Sequence, residues 1–205
     1  QSPTKGSKPM SAMASGFVPG SGAGALVLES LKSALDRKAE IYAEVLGGNL
    51  NSGGQRNGGT ITAPNPDAVQ KCIVDAMKDA SVKSEQVDAI NGHLTATSKD
   101  TLEIENWTKA MKRKGDKFPI INSLKSMTGH CLAAAAAIEI IATVLQLKHQ
   151  FIFPNINCER IHPEILKLIS KEKIPTKMLK MKLNVIAKAS FGFGDVNGCI
   201  IFKRY

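Results

Sequence analysis

The chain has 205 residues, 43% hydrophobic and 22% charged, which suits one globular domain or one and a part of a second. Its formal net charge of +9 raises nucleic acid as a partner, yet aromatics are only 5% and no RNA-binding or helix-turn-helix pattern accompanies the charge, so no nucleic-acid partner is expected. The most apolar stretch, Cys131 to Leu147, is interrupted by Glu139 and Gln146, and the polar start has no apolar centre, so neither a membrane span nor a signal peptide is expected.

Residues 1–15 are rich in Ser, Pro, Lys and Met without a period and read as loop or linker. Residues 24–29 read as a buried strand, 30–38 as a short helix, and 41–46 as a second strand. Glycine and asparagine then dominate residues 47–59, a long loop. From Pro66 the pattern changes: a helix over 67–80 with Pro and Asp at its entry, a strand over 87–91, a helix over 101–113, a strand over 119–123, and a nearly apolar helix over 132–147. An irregular stretch follows, then a strand pair at 185–190 and 199–202 around a glycine-rich bend. This alternation predicts an α/β layered sheet.

The glycines of Gly20-Ser-Gly22-Ala-Gly24 invite a phosphate-loop reading, but the spacing is wrong and a strand, not a helix, is expected after them. Histidines carry more. His93 follows a strand directly, where ligands of α/β sheets collect, and its neighbours Thr95 and Thr97 are small and hydroxylated. His130 stands just before the alanine-rich helix, where the helix dipole favours neutral imidazole, with Lys125 five residues upstream. Singly, each would be an ordinary core histidine; two after strands in comparable units are more suggestive. Ser190-Phe-Gly-Phe-Gly194 places two phenylalanines between glycines, a bend able to turn backbone N–H groups outward toward an oxyanion, although an ordinary hairpin turn is the simpler reading. The four cysteines form no C-x-x-C pair and sit among apolar neighbours, so buried free thiols in a reducing, cytoplasmic setting are expected, and no metal site. The basic runs at 109–117 and 167–182 are either solvated surface or a docking face for an acidic protein.

Taken in order, Gly16 to Glu29, Asn91-Gly-His-Leu-Thr-Ala-Thr97, Lys125-Ser-Met-Thr-Gly-His130 and Ser190-Phe-Gly-Phe-Gly194 resemble the β-ketoacyl-[acyl carrier protein] synthases, the condensing branch of the thiolase superfamily. The resemblance implies a thiolase-like layered fold built of two βαβαβαββ halves. Residues 63–205 would be the C-terminal half, and residues 16–62 the last two strands of the N-terminal half. The segment bearing the nucleophilic cysteine would lie outside this chain, which starts on Gln1 and is expected to be a piece of a longer polypeptide or a split subunit. The implied chemistry is decarboxylative Claisen condensation of malonyl-carrier protein with an acyl thioester, as in fatty acid biosynthesis. No resident cofactor is implied, because phosphopantetheine arrives on the acyl carrier protein.

By the same resemblance, His93 and His130 bond the malonyl thioester carbonyl, Lys125 orients the site, and Glu103 is its carboxylate partner. The Phe193 N–H would supply half of an oxyanion hole and its ring a gate. Thr95, Thr97 and Phe191 would contact substrate. Implied partners are the carrier protein and the missing half or a second ketosynthase chain in a dimeric assembly. The alternative is a non-catalytic partner of the chain-length-factor type, which has little reason to keep both histidines and the lysine. Four departures from the family pattern stand out: Leu94 replaces a glycine after the first histidine, where it would narrow the site; one residue is missing between His93 and Glu103; Asp195-Val196 replace Gly-Thr; and residues 8–15 lack the Arg-Pro-Phe-Asp expected just before Gly16.

Overall fold

The computed structural model describes residues 2–205. After a single 3-10 turn at Pro3–Lys5 and a long irregular segment come helix α1 (Leu31–Asp36), strand β1 (Glu44–Ser52), α2 (Pro66–Asp79), β2 (Ala89–Asn91), α3 (Asp100–Met111) and β3 (Ile120–Asn122). Next are α4 (Lys125–Thr128), α5 (Ala135–His149), β4 (Phe151–Ile152), α6 (Pro163–Leu166), β5 (Leu179–Lys180), β6 (Val185–Gly192) and β7 (Val196–Lys203). Helix α2 starts where its sequence dictates: Pro66 occupies the first turn and the Asn65 side chain accepts the Asp67 and Ala68 N–H groups.

One five-stranded sheet has the order β1-β7-β6-β2-β3. Strand β2 runs parallel to both β3 and β6, while β7 runs antiparallel to β6 and β1. Helices cover both faces, the layered arrangement expected from the alternating pattern. On the face packed by α2 and α3, a large core gathers Val69, Ile73, Ile90, Ile104, Trp107 and Ile201. On the face packed by α5, a smaller core gathers Ala89, Leu147, Ile152, Ile186 and Phe202. The two-residue period of β6 fixes which side chains go where: Val185, Ala187 and Ala189 face α2 and α3, so Ile186, Lys188 and Ser190 face α5.

The structure corrects two expectations and refines two more. Residues 24–29 form no strand; the segment is irregular and, past Gly24, exposed, with Val27 91% exposed, while Gly22 and Gly24 lie against α5. Its glycines are there for close approach: a Cβ on Gly22 would lie 2.9 Å from Ile138 Cδ1, and one on Gly24 3.0 Å from Ile141 Cδ1. Strand β1 extends through much of the expected glycine loop and pairs with β7, which joins it to the C-terminal sheet rather than to a separate one. Of the loop and linker readings of the N-terminal segment, the described residues 2–15 fit the loop: they are largely irregular but tied to the rest of the protein. Met10 is buried, its N–H donates to Asp100 Oδ2 (2.8 Å), and its carbonyl accepts the His162 N–H (2.8 Å). Finally, Leu132–His149 is long enough, at a mean hydropathy of 1.4, to cross a membrane by length and composition alone. Its Glu139, Thr143 and Gln146 are nonetheless buried against the protein, which is what a helix packed on a sheet requires.

Candidate active site

Strand β2 ends at Asn91, and the chain turns at Gly92 to present His93. Two buried carboxylates shape this turn. Glu103 accepts the His93 N–H and the Leu94 N–H, both at 2.7 Å. Asp100 accepts the Thr95 N–H (2.8 Å), the Ala96 N–H (3.1 Å) and the Met10 N–H (2.8 Å). Each carboxylate thus uses both oxygens to satisfy backbone donors in a turn that has no ladder to supply them. Burial nevertheless dominates their titration. It raises Asp100 and pushes Glu103 up to about 7, against the lowering effect of the backbone donors.

The second histidine is held by the start of the chain. His130 N–H donates to Val18 O (2.7 Å) and Gly20 N–H to His130 O (3.0 Å), a two-bond bridge that brings the Phe17 ring edge-on to the imidazole at 5.4 Å. His130 Nδ1 accepts the Leu132 N–H (3.0 Å). A neutral imidazole has one donor and one acceptor nitrogen, so this bond assigns the proton to Nε2. The His93 and His130 rings meet edge to face at 5.4 Å, and Phe191 stands 6.4 Å from His93. Burial, then the charge of Lys125, lower His130; burial, then Lys125 and Lys188, hold His93 well below the ordinary histidine range. Both rings are therefore neutral at pH 7.

Behind the histidines lies a buried ionic cluster. Lys125, 1% exposed, bonds Glu139 Oε1 through its Nζ, and Lys188 Nζ lies 2.8 Å from Glu139 Oε2. Burial opposes ionisation of Glu139, but the adjacent Lys188 and Lys125 charges outweigh it and hold the carboxyl below its usual range. The carboxylate expected to pair with Lys125 is therefore Glu139 and not Glu103, whose oxygens are committed to the His93 turn. Glu139 and Lys188 were not singled out from sequence. The available signal was one carboxylate inside an alanine-rich helix and one lysine inside a strand whose neighbours are all apolar, both positions where an unpaired charge is too costly to keep.

A cavity of about 560 Å³ opens over these residues, lined by His93, Thr95, Thr97, His130, Phe191 and Phe193 among others. Thr95 and Thr97 share a hydroxyl hydrogen bond at 3.1 Å on its wall. Phe191 is buried, while Phe193 is 62% exposed at the β6–β7 turn. That turn is fixed by Asp195, which adopts φ +62° and accepts the Gln55 N–H (2.9 Å) and Asn65 N–H (2.7 Å), while Gly194 N–H bonds Ile61 O (2.8 Å). Leu94 does not narrow the cavity; it is fully buried in the core on the α2–α3 side. All four cysteines are free and buried, and none lines this cavity. Burial pushes Cys72 up to about 11 and Cys158 up to about 12, and raises Cys199 further, so these thiols stay protonated. No cluster of three or more metal-ligating side chains occurs among the described residues.

The family described as "Beta-ketoacyl synthase, C-terminal domain" matches residues 42–159, more than half of the chain. The chain belongs to the β-ketoacyl synthase family. It is 36% identical, over 98% of its length and 48% of the relative's, to 3-oxoacyl-[acyl-carrier-protein] synthase 2 of Vibrio harveyi. It is 38% identical, over 99% of its length and 41% of the relative's, to the chloroplastic 3-oxoacyl-[acyl-carrier-protein] synthase I of Arabidopsis thaliana. Among solved structures it superposes on the ishigamide ketosynthase/chain length factor with a TM-score of 0.88 at 34% identity, covering 97% of this chain and 47% of that one. A type II polyketide ketosynthase bound to its acyl-carrier protein gives a TM-score of 0.88 at 32% identity, covering 100% and 49%. The thiolase-like fold expected from the sequence is thus the fold observed. The chain spans about half the length of the curated relatives and ketosynthase structures it matches.

Proposed function

We propose that this chain carries the decarboxylation wall of a 3-oxoacyl-[acyl-carrier-protein] synthase site, and that the nucleophilic cysteine belongs to the remainder of the enzyme. The observation that carries this reading is the His93–His130 pair, with the His130 proton assigned to Nε2 by the Leu132 N–H. Malonyl-carrier protein delivers its thioester on a phosphopantetheine arm, which passes Thr95 and Thr97. The carbon–carbon bond to the carboxylate breaks, carbon dioxide leaves, and the electron pair moves onto the thioester oxygen as an enolate. Neutral imidazoles donating to that oxygen stabilise charge that exists only after bond breaking, so they lower the barrier rather than merely tighten binding. The enolate carbon then attacks the acyl thioester held on the cysteine, and the thiolate leaves as the new carbon–carbon bond forms. Phe193, at the turn fixed by Asp195, supplies its N–H to that second oxyanion and its ring as the gate of the acyl pocket.

The basic face at Lys109–Lys117 suits the acidic carrier protein, and the free buried thiols suit a reducing compartment such as the cytoplasm. The functional assembly is the chain with its other half, in a dimer. Retention of His93, Lys125 and His130 together favours this over a non-catalytic, chain-length-factor role. The test is His93→Ala in the enzyme complemented with its other half. Decarboxylation of malonyl-carrier protein should fall about a hundredfold or more, while acyl transfer to the cysteine persists. A variant that decarboxylates normally but cannot be acylated overturns the assignment.

A further inference from the structure

The Lys125–Glu139–Lys188 cluster contains two ammonium groups and one carboxylate, with side chains only 1–2% exposed. One pair would be balanced; the second lysine is surplus. Leaving a buried charge uncompensated is costly, and a lysine in a strand interior is readily replaced by an apolar side chain of similar length. Lys188 reaches this position because the strand period turns it toward α5 with Ser190, whose Oγ accepts from its Nζ at 3.1 Å, and Ala189 O accepts a further bond. Its contact with Glu139 Oε2 is a charge contact, since that oxygen receives no aligned hydrogen bond.

We propose that Lys188 is a positioning residue of the decarboxylation site, a second buried ammonium that shares Glu139 with Lys125 and so leaves one unbalanced positive charge behind His93 and His130. This rests on the function proposed above for the histidine pair. The charge acts in two ways. It disfavours protonation of both imidazoles, so that His130 Nδ1 remains the acceptor of the Leu132 N–H and Nε2 remains the donor. It also favours the enolate, whose negative charge forms on the cavity side of the same two rings. The ionisable groups around the histidines, among the described residues, are Asp100 and Glu103 on α3, Lys125 on α4, Glu139 on α5 and Lys188 on β6. Of these only Lys125 and Lys188 are cations, and both repel a proton on His93 and on His130.

The test uses Lys188→Met and Lys188→Arg in the complemented enzyme with histidine ring carbons labelled, read by NMR titration and by the pH profile of malonyl decarboxylation. Lys188→Met leaves a balanced Lys125–Glu139 pair, so it should fold and melt no lower than the parent. The titration of His130 should move to higher pH, the acid limb of decarboxylation should move with it, and Lys188→Arg should restore both toward the parent. Unchanged histidine titration in Lys188→Met overturns the proposal, as does Lys188→Arg behaving like Lys188→Met. Loss of the fold in Lys188→Met also overturns it, because the ammonium would then be structural. Should the parent not decarboxylate at all, the function proposed above fails while the titration still decides the electrostatic claim.

Discussion

Removing the carboxylate of Glu139 tests the ionic cluster most directly. Glu139→Gln keeps the side-chain shape and deletes one negative charge between two ammonium groups. Because Glu139, Lys125 and Lys188 are each at most 2% exposed, solvent screening offers little relief, and the small values typical of surface pairs do not apply. Breaking one buried pair costs about 3–5 kcal/mol, and here two cations lose the same partner. At about 2–4 °C per kcal/mol for a chain of this size, the melting temperature at pH 7 should drop by roughly 6–20 °C. The pH dependence carries a sign. Burial already lowers Lys125 in the parent against the opposing charge of Glu139; with that carboxylate gone, burial and the Lys188 charge lower its folded-state titration further below the unfolded value of about 10.4. The unfolded chain then binds more protons in the interval below that value, and stability rises with pH there. The deficit against the parent should accordingly shrink between pH 7 and pH 10 in thermal melts. A Glu139→Gln protein that melts with the parent at pH 7, or whose deficit is flat with pH, would refute the reading of this cluster as a buried charge triad.

Incubating the isolated chain with acyl-carrier substrate should give no covalent acyl adduct by mass spectrometry, because Cys72, Cys158 and Cys199 are held protonated and none of the four thiols lines the cavity. The same three cysteines should resist maleimide at neutral pH until the protein is unfolded. Charge reversal at Lys112 and Lys114 should weaken carrier-protein association and flatten its salt dependence, whereas an unchanged salt slope would mark the run as solvated surface. Arg113 is unsuitable for that experiment, since its guanidinium bonds Ser84 O (2.6 Å) and Val87 O (3.0 Å) and its loss would loosen the β2 entry.

What could be read from sequence was what depends on local pattern or on specific motifs. Helices α2, α3 and α5 fall where the apolar spacing and the Pro66 entry place them, because those signals sit within one element. His93, His130 and Phe191 converge on one cavity as the motifs implied. Partnerships across the fold were less legible. Glu103 and Glu139 are 22 and 14 residues from Lys125 along the chain, and only the tertiary placement of α3 and α5 around α4 decides which carboxylate meets the ammonium. Residues 24–29 have the composition of a strand, but pairing is a property of neighbours, and among the described residues no strand pairs with them. Residues 2–15 show no period because they are tied down by individual contacts, such as Ser7 Oγ donating to Lys125 O at 2.5 Å, and not by a repeating ladder.

The exposed apolar residues bear on how the protein is assembled. On and beside α1, Val27, Leu28, Leu31 and Leu35 are between 50% and 91% exposed, and at the β1–β7 end of the sheet Leu50 is 80% and Val196 50% exposed. Strand β1 is also the last in the sheet order, so its outer edge presents backbone N–H and C=O groups with no strand opposite. A second cavity, of about 460 Å³ and lined by Leu50, Ala136, Ile140 and Ile200, opens on the same α5-facing side of the sheet. Scattered exposed leucines are ordinary, but a run of them beside an open sheet edge and an apolar groove is the surface an interface covers. The chain alone should therefore associate or aggregate, and addition of the other half of the enzyme should convert it to a defined complex. Size-exclusion chromatography with light scattering on the purified 205-residue chain makes the measurement. A stable monomer with a sharp cooperative melt would mean that these side chains are tolerated in water and that the sheet closes without a partner.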